Sequence, residues 1–395
     1  MKIKAREGDT LTSLSQAFYI PVPLIQEANG RLDSDVLTPG KQVDIPGYES
    51  EQYRLRQGDS LWEISRRCEV REDAILMLNQ GISFQSIQPD KVILIPSRIK
   101  NIIITEKVPY NFDTFNKDLL RLLTVYPFIK KRVIGRSVLN QPIIELKIGR
   151  GKEKVHWNGS FHANEWITTP VIMKFINELA LSVTNGKEIM HTNMLKIFET
   201  RSISIVPMVN PDGVDLVLNG PPSHIKDKLI QLNGGRDDFT GWKANIRGVD
   251  LNKQFPARWQ DEKQRKNLTS PGPRDYGGIK PLSEPETIVM AKLAQKEKFD
   301  VLLAFHTQGQ EFYWGFGGLE PQKSKSLAEA IEKMSGYSSV QFIDSYAGYK
   351  DWFIKKFRNP GFTIELGKGI NPLPLSQFDE IYSASRGIFI ASLLY

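Results

Sequence analysis

Cysteine is almost absent. Cys68 is the only one in 395 residues, which excludes an internal disulfide framework and any zinc site built from thiolates. It lies in the string ISRRCEV, where a half-buried structural thiol on a helix is expected. No apolar run approaches the roughly 18 residues that a membrane span needs, so no transmembrane segment is expected. The start, MKIKAREGDTLTSL, has basic residues but no apolar stretch behind them, so no signal peptide is expected. No Gly/Ser-rich spacer divides the chain. Basic and aromatic residues do not interleave as they do in a nucleic-acid module, and no nucleic-acid partner is expected.

What remains is an ordinary globular composition, 40% hydrophobic and 25% charged. This length predicts two or three domains. The net charge is +7 and the pI about 9.1. With nucleic acid set aside, that balance favours acidic wall polymers or substrates carrying carboxylates.

The first hundred residues repeat themselves with a shift of fifty. Gly8-Asp9-Thr10-Leu11 matches Gly58-Asp59-Ser60-Leu61, Asn29 matches Asn79, Pro39 matches Pro89, and Ile45-Pro46 matches Ile95-Pro96. Each unit predicts strand, helix, helix, strand. In the first, a short strand runs over 2–6 and turns at Gly8-Asp9. Asp9 or Thr10 then caps a helix with Leu11, Leu14 and Phe18 at helical spacing. A second helix covers about 21–28, and Gln42 to Ile45 is the closing strand.

These residues resemble the LysM module, over residues 1–49 and again over 50–98. The resemblance implies binding of N-acetylglucosamine-containing glycan, in bacteria usually peptidoglycan. The implied groove lies between the GD(T/S)L turn and the loop after the second helix. That nominates Asp9, Thr10, Asn29, Gly30, Asp59, Ser60 and Asn79 for glycan contact, with helix capping as the competing duty of the Asp and Thr/Ser side chains. Trp62 either stacks on a sugar or fills the core of its unit. Residues 99–109 form the link, and their apolar IIIT predicts a docked strand.

From residue 110 onwards the pattern changes to strands alternating with helices. Helices are expected over 116–125, 170–181, 284–295 and 326–334, and strands over 131–134, 142–148, 202–206 and 301–305. This alternation predicts an α/β domain with a parallel or mixed sheet, its site beyond the carboxyl ends of the strands. His162-Ala163-Asn164-Glu165 places a His and a Glu on one turn, and His306 ends the apolar strand VLLAF. Three such ligands with an open fourth position form a catalytic zinc pattern. Alone, HxxE is more often a surface helix carrying an unrelated His and Glu. Glu365 sits in FTIEL, where a carboxylate is costly unless paired or functional; an edge position facing solvent is the alternative.

Further strings join these: VPMVNPDG after a buried strand, and Trp242 to Asn252 as WKANIRGVDLN. Together they resemble the zinc carboxypeptidase family, from about 108 to 395. The fold implied is α/β, a mixed sheet flanked by helices, preceded by the two small βααβ LysM modules. The resemblance implies one zinc ion held by His162, Glu165 and His306, and peptide hydrolysis by a metal-activated water with Glu365 as general acid/base. It gives Asp250 the task of orienting the first zinc His, and Asn252 a place at the substrate.

Departures narrow the reading. The family's carboxylate-gripping Arg is Lys253 here, which cannot form the planar bidentate pair. The oxyanion-stabilising Arg is replaced by Lys243. Ile343 stands at the mobile Tyr position, leaving Tyr346 or Tyr349 as substitutes. The remaining His156, His191 and His224 are expected to be structural or surface residues.

Two LysM units before such a domain resemble a narrower group, the bacterial γ-D-glutamyl-L-diamino acid peptidases. These cut peptidoglycan stem peptides between γ-D-Glu and meso-diaminopimelate or Lys. Lys243, Arg247, Lys253, Arg258 and Lys368 are the cations available to the substrate's carboxylates, with plain surface duty the alternative for Arg258 and Lys368. A general metallocarboxypeptidase acting on peptide C-termini is the alternative activity. The expected location is the cytoplasm of a bacterium or its spore, with release on mother-cell lysis.

Overall fold

Leu11, Leu14 and Phe18 recur on one side of the helix Leu11–Phe18 and are fully buried with Leu24, Ile25, Val43 and Ile45. Burying each such side chain contributes about 1.5–3 kcal/mol, enough for a small module. The second repeat buries Leu55, Ile64, Ile75, Ile93 and Ile95 in the same way. The computed structural model describes residues 1–32, 34–84, 88–105 and 107–395. Both repeats have the expected strand–helix–helix–strand order. The first pairs Lys2–Lys4 with Gln42–Asp44, the second Tyr48–Arg54 with Val92–Arg98, both antiparallel. Gly8 and Gly58 turn with φ of +80° and +86°, which side chains disfavour.

The repeated polar residues hold these turns together. Thr10 Oγ1 accepts from Ser13 N at 2.9 Å while Ser13 Oγ accepts from Thr10 N at 2.9 Å. Ser60 and Glu63 make the same reciprocal pair. Asn29 donates to Ile25 O and Asp44 O and accepts from Asp44 N, pinning helix to strand. Asn79 does the same with Ile75 and Leu94.

The chain divides into two compact units. One is Met1–Ile104 with Asp118–Lys130 and Asn177–Ile189; the other is Thr105–Lys117, Lys131–Ile176 and Met190–Tyr395. In the first unit the backbone N–H groups of Ile103 and Ile104 both donate to Asn177 Oδ1, at 2.7 and 2.9 Å. A side chain thus takes the bonds that a partner strand would have taken. The strand expected in the IIIT link is not formed.

The second unit is built on an eight-stranded sheet. Its order is Ser338–Val340, Glu311–Tyr313, Gly361–Leu366, Val301–Thr307, Glu153–Asn158, Arg201–Val206, Pro142–Ile148, Lys130–Arg136. The four central strands are mutually parallel, and the flanking ones make the sheet mixed. Val301–Thr307 is buried throughout, as a parallel strand covered on both faces should be. Helices Thr168–Asn185, Pro285–Glu297, Lys323–Ser335 and Phe378–Leu394 accompany it. The expected helices all occur; three are longer by several residues than their apolar spacing indicates, and Pro285–Glu297 by one.

Glu286, in the first turn of Pro285–Glu297, is fully buried. Its carboxylate accepts from Val138 N at 3.1 Å and from Asn245 Nδ2 at 3.4 Å. Burial pushes its pKa up to about 7, from an ordinary 4.5. A raised folded pKa means the stability it contributes is fully present below the unfolded value and is lost as pH rises through about 7. Glu286→Gln is therefore expected to flatten the fall in stability between those pH values, by up to about 3 kcal/mol. Thermal melts at several pH values check this, and an unchanged slope in the variant refutes it.

Candidate metal centre and active-site cleft

Two parallel strands end side by side at the site. His306 and Glu365 are register partners on Val301–Thr307 and Gly361–Leu366, so both side chains project from the same face. The strand Glu153–Asn158 runs into a loop whose next turn, Ala163–Glu165, is a short 3-10 helix. That turn brings His162 and Glu165 to His306. Asn210, from the NPDG string, secures the loop: its amide donates to Phe161 O at 3.2 Å and Ala244 O at 3.1 Å, and its carbonyl accepts from Gly213 N.

His162 Nδ1 lies 2.8 Å from Glu165 Oε1, His306 Nδ1 lies 2.9 Å from Glu165 Oε2, and the two Nδ1 atoms are 3.1 Å apart. All three residues are buried. His162 Nε2 faces Asp250 Oδ1 at 3.2 Å, which places a proton on Nε2 and leaves Nδ1 as a lone pair. A lone pair against a carboxylate oxygen repels unless a cation stands among them. Burial lowers the His162 pKa, but Glu165 and Asp250 raise it overall. This donor set, two imidazole nitrogens and a carboxylate within 4.8 Å of one another, fits zinc chemically.

Lys243 Nζ sits 3.3 Å from Glu165 Oε1. Burial works against its charge, but Glu165, Asp250 and Glu365 raise its pKa, so it stays a cation. The Glu165 carboxyl is held far below the usual range, because His162 and Lys243 outweigh burial. Glu365 goes the opposite way: burial and the neighbouring Glu165 charge push it up to about 8. Asp250 also accepts from Asn252 N at 3.1 Å and Asp275 N at 3.1 Å.

Two cavities of about 230 and 510 Å³ share Lys243, Arg274, Tyr313, Ile343 and Glu365 as walls. Asn252 and Lys253 line the smaller one. Lys253 is not a free cation: its Nζ lies 2.6 Å from Glu262 Oε1 and 2.6 Å from Ser345 Oγ. Arg247 turns to Glu284 Oε2 at 3.5 Å and lines neither cavity. Tyr349 is fully buried with its hydroxyl on Met290 O. Tyr346 packs under the Arg258 guanidinium, 3.8 Å from the ring centroid. Neither tyrosine reaches a cavity wall.

Sequence reasoning missed Tyr313, Arg274, Lys350 and Asn371. Tyr313 stands on the short strand antiparallel to the one bearing Glu365. Its alternation with Glu311 was the available signal. Lys350 precedes Asp351-Trp352 and is buried against Gly315 O at 2.8 Å. Asn371 reaches Thr307 O at 3.0 Å and Glu165 Oε1 at 3.5 Å. Arg274 and Asn371 lie in polar loops with no pattern to mark them.

The model for zinc carboxypeptidases matches residues 117–385, and that for the LysM domain matches 3–46 and 53–96. The chain belongs to the zinc carboxypeptidase family. It is a metallopeptidase of that zinc-dependent family, with LysM domains at its amino-terminal end. It is 47% identical over 395 residues to gamma-D-glutamyl-L-diamino acid endopeptidase 1 of Lysinibacillus sphaericus, covering 100% of both chains. It is 48% identical to the uncharacterized protein YqgT of Bacillus subtilis, over 80% of this chain and 86% of that one. Bovine thrombin-activatable fibrinolysis inhibitor shares the fold, with a TM-score of 0.56 at 19% identity, over 73% of this chain and 96% of that chain. Among the described residues no helix is long and apolar enough to cross a membrane.

Glu262 also accepts from Arg265 at 2.7 and 2.8 Å and is almost fully buried. Glu262→Gln leaves the Lys253 ammonium buried without its counter-charge, a loss of about 3–5 kcal/mol. Chemical denaturation is expected to show it, and a loss below about 1 kcal/mol means that the pair is solvated.

Proposed function

We propose that the chain hydrolyses the γ-D-glutamyl–meso-diaminopimelate (or Lys) bond of peptidoglycan stem peptides, with its LysM domains holding N-acetylglucosamine-containing glycan. The similarity that carries this reading spans modules and catalytic domain together, over the whole length of a γ-D-glutamyl-L-diamino acid endopeptidase. Tethering to the polymer raises the local concentration of stem peptide at the site.

In this reading His162 Nδ1, a Glu165 oxygen and His306 Nδ1 hold the zinc ion, with Asp250 fixing the His162 tautomer. Bound zinc acidifies water and polarises a carbonyl. Glu365 takes a proton from the attacking water and returns it to the departing amine. Burial and the neighbouring Glu165 charge raise its pKa, which favours the half of the cycle in which the proton is returned. Lys243, held as a cation beside Glu165, stabilises the negative charge that develops on the carbonyl oxygen. Asn252 bounds the substrate side of the cleft.

The locked Lys253 supports wall peptides over ordinary C-termini. A cation already paired with Glu262 is a poor grip for a terminal carboxylate. A γ-D-glutamyl bond instead leaves an α-carboxylate beside the scissile amide, and diaminopimelate adds a second. Arg274, largely exposed, lines the same cavity and answers those charges; Lys350 is buried and paired with Asp351 and does not.

Zinc-loaded protein is expected to release a fragment ending in γ-D-Glu from defined muropeptides, read by mass spectrometry, while Glu365→Gln loses at least about 100-fold in kcat with zinc still bound. Trimming of ordinary peptide C-termini with muropeptides left intact supports the general carboxypeptidase instead. Full turnover by Glu365→Gln removes Glu365 from the mechanism. Action within the spore or the bacterial cytoplasm completes the reading. Fractionation of sporulating cells is expected to find the protein with spores or cytosol, and protein confined to the medium of growing cells contradicts that.

A further inference from the structure

In the LysM pair, the side chains nominated for glycan contact are consumed inside the fold. Asp9 is bound to Arg6 N at 2.7 Å, Asp59 to Arg56 N at 2.8 Å, and both Asn residues pin helix to strand. Elsewhere in the same unit a cleft of about 470 Å³ opens between the two modules, within the size range of small-ligand sites. Its walls come from the ends of the first helix of each module and from the paired strands Tyr48–Arg54 and Val92–Arg98.

Two of its polar groups, Tyr19 and Arg71, keep a free face or charge. The ring of Tyr19 is 62% exposed at the cleft. Arg71 rests over that ring, 5.8 Å from its centroid, and forms no ion pair among the described residues. Arg98 is partly engaged: its Nη2 donates to Tyr19 O at 2.9 Å and to Thr184 O at 2.5 Å, its guanidinium lies 5.5 Å from the Tyr48 ring centroid, and its Nε–H is buried without a partner. Glu69 is neutralised by Lys100, so two guanidinium groups face the single remaining carboxylate of Glu51.

We propose that this inter-module cleft is a glycan site separate from the GD(T/S)L turns, binding a pyranose that carries a carboxylate. An exposed tyrosine ring with a hydroxyl tip suits the apolar face and polar edge of a sugar. Guanidinium groups suit a carboxylate, which they bind bidentately. A neutral N-acetylglucosamine oligomer offers the ring without the charge, so carboxylate-bearing strands bind here in preference. The choice of ligand rests on reading the amino-terminal modules as wall-glycan binders, but not on the hydrolytic mechanism.

Cys68 lines this cleft and is the only thiol in the chain, so its alkylation reports occupancy. The full chain is treated with N-ethylmaleimide, alone, with chitotetraose, or with peptide-free glycan strands that retain the lactyl carboxylate. Strands at about ten times their Kd are expected to slow alkylation roughly tenfold, and chitotetraose at the same concentration to have little effect. Tyr19→Ala and Arg71→Glu are expected to abolish the protection while leaving hydrolysis of small soluble peptides unchanged, which shows that they fold. Calorimetry with both sugars separates the two readings. Binding without Cys68 protection, equal protection by chitotetraose, or protection that survives both substitutions overturns the cleft site. Absence of binding by either sugar overturns the glycan reading of the modules as well.

Discussion

A buried carboxylate must be compensated where it sits, and Glu165 is the group around which the catalytic domain is arranged. Both of its oxygens are engaged: one by His162 and Lys243, the other by His306 and the Thr307 backbone N–H. An uncompensated charge at this depth costs several kcal/mol. The partners come from widely separated parts of the chain, so forming the site commits the HxxE loop, the WKAN loop and the end of a central strand to one arrangement. The same requirement explains the supporting residues. Asn210 and Asn245 are buried tie points for those loops, and Asp250 braces His162 while capping the turn Leu251–Lys253.

Two carboxylates in one cleft have opposite properties because their neighbours differ. Glu165 touches two imidazoles and a lysine and is held ionised. Glu365 has Glu165 and Glu311 on its side, and its neighbouring cations do not offset burial. Ligand and proton carrier are thus separated by environment, not by residue type. Register makes this possible, because His306 and Glu365 are fixed side by side by the parallel ladder before any side chain chooses a rotamer.

Much of this was legible in the sequence. The fifty-residue repeat gave both modules, since buried Leu, Ile and Phe recur at helical spacing within it. The clustering of His162, Glu165 and His306 followed from spacing and from the end of an apolar strand. Asp250 apart, which faces His162 as the resemblance implies, the partners of single polar residues were not legible. Asp9, Asn29 and Asn79 look like ligand contacts in a sequence, because a recurring polar residue in a turn has the same pattern whether it meets a sugar or its own backbone. Lys253 looked like a free cation because Glu262 lies nine residues away in a segment without apolar pattern. Tyr346 and Tyr349 are nearest in sequence to the missing tyrosine, yet packing takes both, and the tyrosine that lines both cavities, Tyr313, comes from another strand.

The paired state of Lys253 bears on substrate choice more than the Arg-to-Lys replacement itself. A lone lysine in a pocket attracts any carboxylate, so the replacement by itself predicts a weaker carboxypeptidase. Buried against Glu262 and Ser345, the same lysine is held by both and is not free to follow a carboxylate. The cleft's usable positive charge therefore lies with Lys243 beside Glu165 and with Arg274 on the wall common to both cavities. Cations on the walls shared by both cavities suit a substrate whose carboxylates flank the scissile bond. They do not suit one whose only carboxylate marks the end of a chain.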